Sequence, residues 1–226
     1  MTVTVSKTSP YEERQLRAVT GTTIRPGGLT LTDRALEFCS FAAGARLLDV
    51  GCGAGASVEH LRNCYGFDAR GVDISLKLIA EGRKRNPDLP LSEATAETLP
   101  FEDGSQDGIL CECVLSLLEE PFRALAEFRR LLRKNGYLML SDMYRRELAP
   151  GGRPEGYIRE AALHRQTAAW LSENGFTILL WEDHSSLLRE LAARLILTNG
   201  SLEGLCCTTQ GPGGKPGYYL LVAHKE

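Results

Sequence analysis

The chain has 226 residues, of which 43% are hydrophobic and 24% are charged, and its formal net charge is −3. This composition suits one globular α/β domain with additions, and the slight negative charge gives no support for nucleic-acid binding, which favours a basic face. No segment is long and apolar enough to span a membrane and the N-terminus lacks a signal-peptide core, so we expect a cytoplasmic protein without membrane insertion.

The N-terminal segment, 1–41, predicts two helices separated by a break. Arg25 to Gly28 carries a proline and two glycines and cannot form regular structure. Thr32 or Asp33 is suited to N-cap a helix that runs to about Phe41. This segment is expected to pack against the sheet.

The clearest pattern in the sequence is an apolar strand that ends in a glycine-rich turn. Leu47, Leu48 and Val50 form a run typical of a buried parallel strand, and a helix is predicted over 56–65. Glycine accepts positive φ and has no Cβ, so the turn between them can admit a ligand near the helix N-terminus. A dinucleotide site requires G-x-G-x-x-G, whereas this turn reads G-x-G-x-G after Asp49, which disfavours NAD. Its glycines are Gly51, Gly53 and Gly55.

The second predicted strand, 69–75, closes on an acidic residue. Asp73 lies about 20 residues beyond the glycine turn, the spacing at which a carboxylate binds a ribose. Its alternative role is to N-cap the helix that begins near Ser75. We favour the ligand role on the spacing.

Three segments together resemble the class I S-adenosylmethionine (SAM) methyltransferases. Asp49-Val50-Gly51-Cys52-Gly53-Ala54-Gly55 resembles their motif I, Ala94-Thr95-Ala96-Glu97-Thr98-Leu99-Pro100-Phe101 resembles their D-A-E-x-L-P-F run, and Tyr137 to Asp142 resembles their fifth strand. Within the family, the chain is most similar to the broad ubiquinone/menaquinone-biosynthesis group. Thr95 stands where the family usually has Asp, which weakens the expected contact with adenine.

The resemblance implies a cofactor site for SAM, with S-adenosylhomocysteine as the product. Asp49 would orient the ammonium end, the turn would pack against the methionine part, Asp73 would bind the ribose, and Ile74 would lie on the adenine. Thr95 would accept from the adenine amino group and Ala96 would offer its N–H. The implied cofactor-binding set is Asp49, Gly51, Cys52, Gly53, Gly55, Asp73, Ile74, Thr95, Ala96, Glu97 and Glu112.

Glu112 is a candidate catalytic residue because it ends the central fourth strand, 107–111. Ligands bind at such strand ends in open α/β sheets, although the carboxylate could instead be merely solvated. The helix that follows, 122–134, carries a basic last turn opposing its dipole and is capped by Asn135-Gly136.

His184 is the second candidate catalytic residue. It follows a predicted sixth strand, 176–181, and sits beside carboxylates, so it could act as a general base. The alternative is that Asp183 or Ser185 starts a helix over 187–197 at this point.

Family members often build acceptor recognition in insertions, which the resemblance places here at 143–165 and 184–216. They also often use the N-terminal segment, here 1–41, as a lid over SAM.

The second insertion contains the adjacent pair Cys206-Cys207. A vicinal thiol pair could bind a soft metal or metalloid or take part in thiol exchange, or it could be incidental. With seven cysteines and no C-x-x-C or Cys/His spacing, neither a disulfide framework nor a zinc site is predicted.

We therefore predict a single SAM-methyltransferase domain over 1–226, α/β and Rossmann-like. Its seven-stranded, mostly parallel sheet should have the order 3-2-1-4-5-7-6, with the last strand antiparallel and helices on both faces. The expected activity is methyl transfer to a small-molecule acceptor, by a monomer or homodimer. The alternatives are a metalloid or thiol methyltransferase that uses Cys206-Cys207, and a non-catalytic SAM-binding protein that acts through a partner.

Overall fold

A seven-stranded sheet organises the molecule in the computed structural model, which describes residues 14–145, 164–200 and 216–226. The strands are β1 Arg46–Val50, β2 Asp68–Asp73, β3 Leu91–Glu93, β4 Gln106–Glu112, β5 Leu132–Arg145, β6 Phe176–Asp183 and β7 Pro216–Lys225. Their order is β3-β2-β1-β4-β5-β7-β6. β7 runs antiparallel to both β5 and β6, while the other pairs are parallel. The predicted topology is confirmed.

Helices cover both faces of this sheet. They are α1 Arg14–Thr20, α2 Leu29–Leu36, α3 Ala56–Tyr65, α4 Leu76–Arg85, α5 Pro121–Leu131, α6 His164–Glu173 and α7 Ser185–Asn199, with a 3-10 turn at Leu115–Leu117. Successive side chains of a strand point to opposite faces, so neighbours such as Leu47 and Leu48 enter different cores. Both are fully buried, Leu47 with the α2 and α3 side chains and Leu48 with those of α5.

Local signals fix the two helices that follow the glycine turn. α3 lies between Gly55 and Gly66, both in the left-handed region at φ +77° and +67°. α4 is N-capped by Ser75, whose hydroxyl accepts from the Leu78 N–H at 3.2 Å. Each helix covers the range that its sequence predicts, 56–65 and 76–85.

The predicted bounds of α2 are wrong. α2 begins at Leu29, after Gly28 at φ +53°, and ends at Leu36, so Thr32 lies inside it rather than capping it. Thr32 is fully buried and bonds to Glu112, a contact 80 residues away that no local pattern shows. α2 ends five residues before Phe41, whose ring packs edge-on against Tyr137.

α5 also ends before its predicted limit, at Leu131. Leu132 is fully buried and pairs with Gln106 of β4, so the chain becomes extended here and Asn135, at φ +60°, lies within β5. The pairing with β4 overrides the helical pattern that continues to Lys134. Arg133 then pairs with Asp107 instead of ending the helix.

The N-terminal segment packs against the ligand-side edge of the sheet. Leu16 of α1 and Ile24 of the following loop share a buried cluster with Leu78 of α4 and with Leu191 and Leu195 of α7. This cluster connects α1 and the loop after it to α4 and α7. It positions the loop at 22–25 over the carboxyl ends of β1 and β4.

Candidate cofactor site

A cavity of about 500 Å³ opens at the carboxyl ends of β1, β2 and β4. The glycine turn forms its floor, with Gly51 at φ +77° and Gly53 at φ +53°. A Cβ on Gly51 would overlap the Val114 side chain, whereas a Cβ on Gly53 would meet no atom nearer than 3.9 Å. A Cβ on Gly53 would therefore only reach van der Waals contact with the side chains of Ile24 and Leu78, and Gly53 itself lines the cavity. The turn also contributes Cys52 to the lining.

Gly55 has a different role from the other two glycines of the turn. It is not among the residues that line the cavity. A Cβ on Gly55 would press against Leu91 of β3 at 2.9 Å, and its φ of +77° starts α3. The structure thus brings Gly51, Cys52 and Gly53 to the cavity and places Gly55 in the packing beneath it.

Asp73 ends β2 in the cavity wall, with its carboxylate oriented by two backbone N–H groups. Its Oδ2 accepts from Gly53 N at 2.7 Å and its Oδ1 from Ser75 N at 2.8 Å. Ser75, not Asp73, caps α4 with its side chain. The Asp73 carboxylate is thus tied to the glycine turn and held where a ligand could reach it.

An apolar side chain and a short loop continue the wall beyond Asp73. Ile74 is 71% exposed although it lines the cavity, an unusual position for a large apolar side chain. Thr95, Ala96 and Glu97 line the cavity as well. The residues predicted for the adenine end therefore lie along one cavity with Asp73.

Buried charges surround the inner end of the cavity. Glu112 is 9% exposed, and its Oε2 pairs with the Arg25 guanidinium at 2.8 Å. Thr32 donates to Glu112 Oε1 at 3.0 Å and Ser57 donates to Oε2 at 3.2 Å. Three donors on its two oxygens therefore hold the Glu112 carboxylate in place. Asp49, 3% exposed, also lines this end.

Arg25, Thr32 and Ser57 are site residues that the sequence analysis missed. In the sequence, Arg25 belongs to an irregular loop, Thr32 or Asp33 is suited to cap a helix, and Ser57 lies within a predicted helix. No periodicity or motif connects them, because they come together through contacts over 32 to 80 residues. The only available signal was the presence of an arginine beside a glycine pair near a predicted ligand edge.

Asp49 is expected to destabilise the folded protein at neutral pH. Burial, reinforced by the Glu112 charge, raises the pKa of Asp49 to about 8, against the nearby Arg25, which lowers it. An unfolded aspartate ionises near pH 4, so between about pH 4 and pH 8 unfolding releases a proton and is favoured as the pH rises. Asp49→Asn removes this effect.

We therefore expect the Tm of Asp49→Asn to exceed that of the wild type by a margin that widens from pH 5 to pH 8. A difference of about 1 kcal/mol or more corresponds to roughly 3 °C in a chain of this size. Thermal unfolding monitored by circular dichroism at several pH values measures it, with Asp68→Asn on the exposed edge of β2 as the control. A margin that does not change with pH would show that Asp49 is ionised in the folded protein.

His184 lies outside the set of residues that line the cavity. It occupies the N-cap position of α7, and its Nε2 lies 2.9 Å from Glu182 Oε2. Glu182 in turn pairs with Arg34 at 2.5 Å. Asp183 accepts from the Ser185 N–H at 2.8 Å, so this run also begins a helix, one that starts at Ser185 rather than at Leu187. The structure does not bring His184 together with Glu112.

Both predicted insertions fall partly outside the described residues. Residues 146–163 and 201–215, with Cys206 and Cys207, belong to these parts of the chain. Elsewhere, no group of three or more His, Cys, Asp or Glu side chains is arranged to hold a metal ion. No helix in the described ranges is long and apolar enough to cross a membrane.

Comparison with known proteins shows what the part of the chain around this site is similar to. Residues 48–140 match the model of a methyltransferase domain. A demethylmenaquinone methyltransferase of Renibacterium salmoninarum is 35% identical over 99 residues, covering 44% of this chain and 41% of that protein. Others of the same name also match, which confirms the predicted similarity to that group. The chain spans about half or less of the length of the first curated relatives.

Two solved structures show the same fold. The cyclase SpnF superposes with a TM-score of 0.71 at 27% identity, over 87% of this chain and 80% of that one. The second structure is phosphoethanolamine N-methyltransferase 2 of Haemonchus contortus in complex with S-adenosyl-L-methionine. It superposes with a TM-score of 0.76 at 16% identity, over 93% of this chain and 56% of that one. Residues 48–140 thus match a methyltransferase domain, and the strand order of the sheet is that of the Rossmann-like methyltransferase fold.

Proposed function

We propose that the chain transfers a methyl group from SAM to a small-molecule acceptor, using the cavity at the carboxyl ends of β1, β2 and β4. The observation that carries the proposal is Asp73, a carboxylate fixed by Gly53 N and Ser75 N in the wall of that cavity. A carboxylate so placed can accept from both ribose hydroxyls of an adenosine.

The cavity fits SAM in size and chemistry. Its volume of about 500 Å³ lies within the usual range for small-molecule sites. The exposed Ile74 offers an apolar surface to a flat base, and Gly53, which lines the cavity without a side chain, allows a ligand to come close to the backbone. Asp49 and Glu112 provide acidic groups for an ammonium at the inner end.

The protein's part in the reaction is to position the cofactor and the acceptor and to exclude water. Bound SAM supplies an electrophilic methyl group on a sulfonium sulfur. Asp73 and Ile74 would fix the adenosine, Asp49 would orient the amino-acid end, and the loop at 22–25 would cover the cavity. Holding the acceptor in line with the methyl group then lowers the barrier mainly through orientation.

We assign no general base to this reaction. The Glu112 carboxylate already accepts from Arg25, Thr32 and Ser57, and His184 pairs with Glu182 away from the cavity lining. An acceptor that is already a thiolate or an enolate needs no base. His184 could serve only if the acceptor extends beyond the cavity toward α7.

The test of this function is the formation of S-adenosylhomocysteine. Purified protein is incubated with SAM and a panel of thiols, arsenite, phenols, amines and enolisable ketones. S-adenosylhomocysteine and the methylated acceptor are both followed by mass spectrometry. We expect turnover with at least one acceptor class and none with Asp73→Ala. Turnover that survives this variant would place the reaction in another site.

The panel also tests a metalloid or thiol acceptor. A Cys206→Ser, Cys207→Ser double variant should keep its affinity for S-adenosylhomocysteine. If the pair binds the acceptor, turnover on arsenite or thiols disappears in this variant. Unchanged turnover would exclude a role for the pair.

A second candidate is a SAM-binding protein that does not methylate. The similar fold and 27% identity of SpnF, which is named for a cyclisation, favour this alternative. It predicts binding of S-adenosylhomocysteine with no turnover on any acceptor class. Binding together with product formation would exclude it.

A further inference from the structure

The segment 113–118, which connects β4 to α5, forms an apolar wall of the cavity. Val114, Leu117 and Leu118 are half-buried and line the cavity. Val114 also packs on the glycine turn, because a Cβ on Gly51 would overlap its side chain. The 113–118 wall is therefore in contact with the cavity floor and with the space in which a ligand would lie.

The place of this wall in the sheet suits the acceptor. β4 lies on the opposite side of β1 from β2, so the wall stands across β1 from Asp73. Because the adenosine of SAM is proposed to lie on Asp73 and Ile74, the wall is left to contact the methyl-bearing end of the cofactor and the acceptor. An apolar wall can orient an acceptor only if it keeps its shape.

Asp142 of β5 holds this wall from outside the cavity. Its side chain is 1% exposed and is not among the residues that line the cavity. Its Oδ2 accepts from Ser116 N at 2.8 Å, and its Oδ1 accepts from the Ser116 hydroxyl and from Met143 N, both at 2.6 Å. The neighbouring Ser141 carbonyl accepts from Cys113 N at 2.7 Å. Two successive residues of β5 thus fix the start and the middle of the wall.

The wall begins with a strained residue. Cys113 has φ +59°, a conformation that residues other than glycine seldom adopt, and its side chain is 7% exposed. Such strain persists only where the surrounding structure requires it. The path of the wall therefore depends on its hydrogen bonds to β5 rather than on its own backbone preference.

A carboxylate is the group that these three donors require. An ionised aspartate only accepts hydrogen bonds, whereas a protonated one carries a hydrogen of its own. The Ser116 hydroxyl can turn to accept this hydrogen, but the N–H groups of Ser116 and Met143 then donate to a neutral group. Hydrogen bonds to a neutral acceptor are about half as strong as those to a carboxylate. Uptake of a proton by Asp142 therefore weakens the hold on the wall.

This proton is taken up within an accessible pH range. Burial raises the pKa of Asp142 to about 6, although the hydrogen bonds that it accepts lower it. The titratable side chains that feel its charge are the Cys111 and Cys113 thiols of β4 and the Tyr219 phenol of β7. Burial raises the pKa of all three well above their ordinary values, so none of them titrates near pH 6. Asp49, with a pKa of about 8, titrates above this range.

We infer that Asp142 is a positioning residue for the proposed methyl transfer: its carboxylate fixes the 113–118 wall, and the wall loosens when the carboxylate takes up a proton. The inference rests on the proposed function, because it takes this wall to contact the acceptor. An unfolded aspartate ionises near pH 4, so protonation of Asp142 between pH 7 and pH 5 favours the folded state as a whole. The loosening is therefore local to the wall.

Hydrogen exchange followed by mass spectrometry measures the hold on the wall. Exchange of 113–118 is compared between pH 7.5 and pH 5 after correction for the intrinsic effect of pH. We expect protection of this segment to fall about 10-fold in the wild type, while that of α3 stays constant. Asp142→Asn must turn its NH2 group toward one of the two N–H donors, so it should show the low protection at every pH.

A second variant tests the same hold without removing the carboxylate. Ser116→Ala keeps the backbone N–H but lacks the hydroxyl, whose hydrogen bond lowers the pKa of Asp142. The midpoint of the change in protection should therefore move to higher pH. Asp68→Asn, on the surface at the start of β2, should behave like the wild type. Thermal unfolding confirms that each variant is folded.

Turnover and binding then separate the acceptor from the cofactor. For each acceptor of the panel above that the wild type methylates, Asp142→Asn should lower kcat/KM about 10-fold at pH 7.5. Its affinity for S-adenosylhomocysteine, measured by calorimetry, should stay within about threefold of the wild type, because the adenosine lies across β1 from the wall. Asp68→Asn should change neither quantity.

Protection of 113–118 that does not change with pH in the wild type would overturn the inference. Full protection in folded Asp142→Asn would overturn it too, as would an unchanged kcat/KM in a variant that has lost protection. If Asp142→Asn does not fold, the wild-type pH series and Ser116→Ala decide the matter. A folded wild type that methylates nothing in the panel would instead overturn the proposed function, whatever the exchange shows.

Discussion

Replacing Asp73 by Ala is expected to weaken the binding of S-adenosylhomocysteine by about 100-fold or more. The carboxylate accepts from Gly53 N and Ser75 N, so it is already oriented before a ligand arrives. Two charge-assisted hydrogen bonds to ribose hydroxyls, at about 1.5 kcal/mol or more each, account for a loss of this size. The variant also frees the Gly53 N–H and loosens the turn.

Calorimetric titration measures this loss, and two further variants define its origin. Asp73→Asn keeps one oxygen acceptor in the same shape and should lose less affinity than Asp73→Ala. Asp68→Asn, at the other end of β2 and on the surface, should bind like the wild type. Wild-type affinity in a folded Asp73→Ala protein would remove Asp73 from the site.

The second large effect is expected from alanine substitutions in the glycine turn. Substitution of Gly51 and of Gly53, the two glycines that line the cavity, should have different consequences. Gly51→Ala places a Cβ into Val114 and requires a non-glycine residue at φ +77°. Left-handed strain and overpacking together cost about 3 kcal/mol, or roughly 6–12 °C in Tm. Gly51→Ala should therefore act on stability.

Gly53→Ala should act on binding instead. Its Cβ meets nothing nearer than 3.9 Å, so only the strain at φ +53°, about 1 kcal/mol, affects folding. The added methyl group enters the space where the ligand approaches the backbone, and we expect a loss of affinity of about 30-fold or more. Thermal unfolding and titration of both variants test the contrast. Equal losses of Tm in the two would contradict the assignment of a clash-free Cβ position to Gly53.

The parts of the fold that the sequence predicts well are those whose signals are local. The bounds of α3 and α4 follow from Gly55, Gly66 and Ser75, which cap them directly. The strand order follows from the resemblance to a known family, which covers about residues 45–182 and the last strand, and the structure confirms it. The choice of Asp73 as a candidate site residue follows from its spacing to the glycine turn, and Asp73 lines the cavity.

The parts that could not be predicted depend on distant contacts. Thr32 was expected to cap a helix because threonine is a good cap, but its hydroxyl is drawn inward by Glu112. α5 ends at Leu131 because Leu132 pairs with β4, although the helical pattern continues. Arg25 becomes a cavity residue only when Ile24 packs between α1, α4 and α7.

The most direct test of the account is a crystal structure of the protein with S-adenosylhomocysteine. We expect the ligand in the cavity at the ends of β1, β2 and β4, with both ribose hydroxyls within about 3 Å of the Asp73 carboxylate and the amino-acid end beside Asp49. A ligand bound elsewhere on the chain, or a folded protein that takes up no ligand at saturating concentration, would contradict the account.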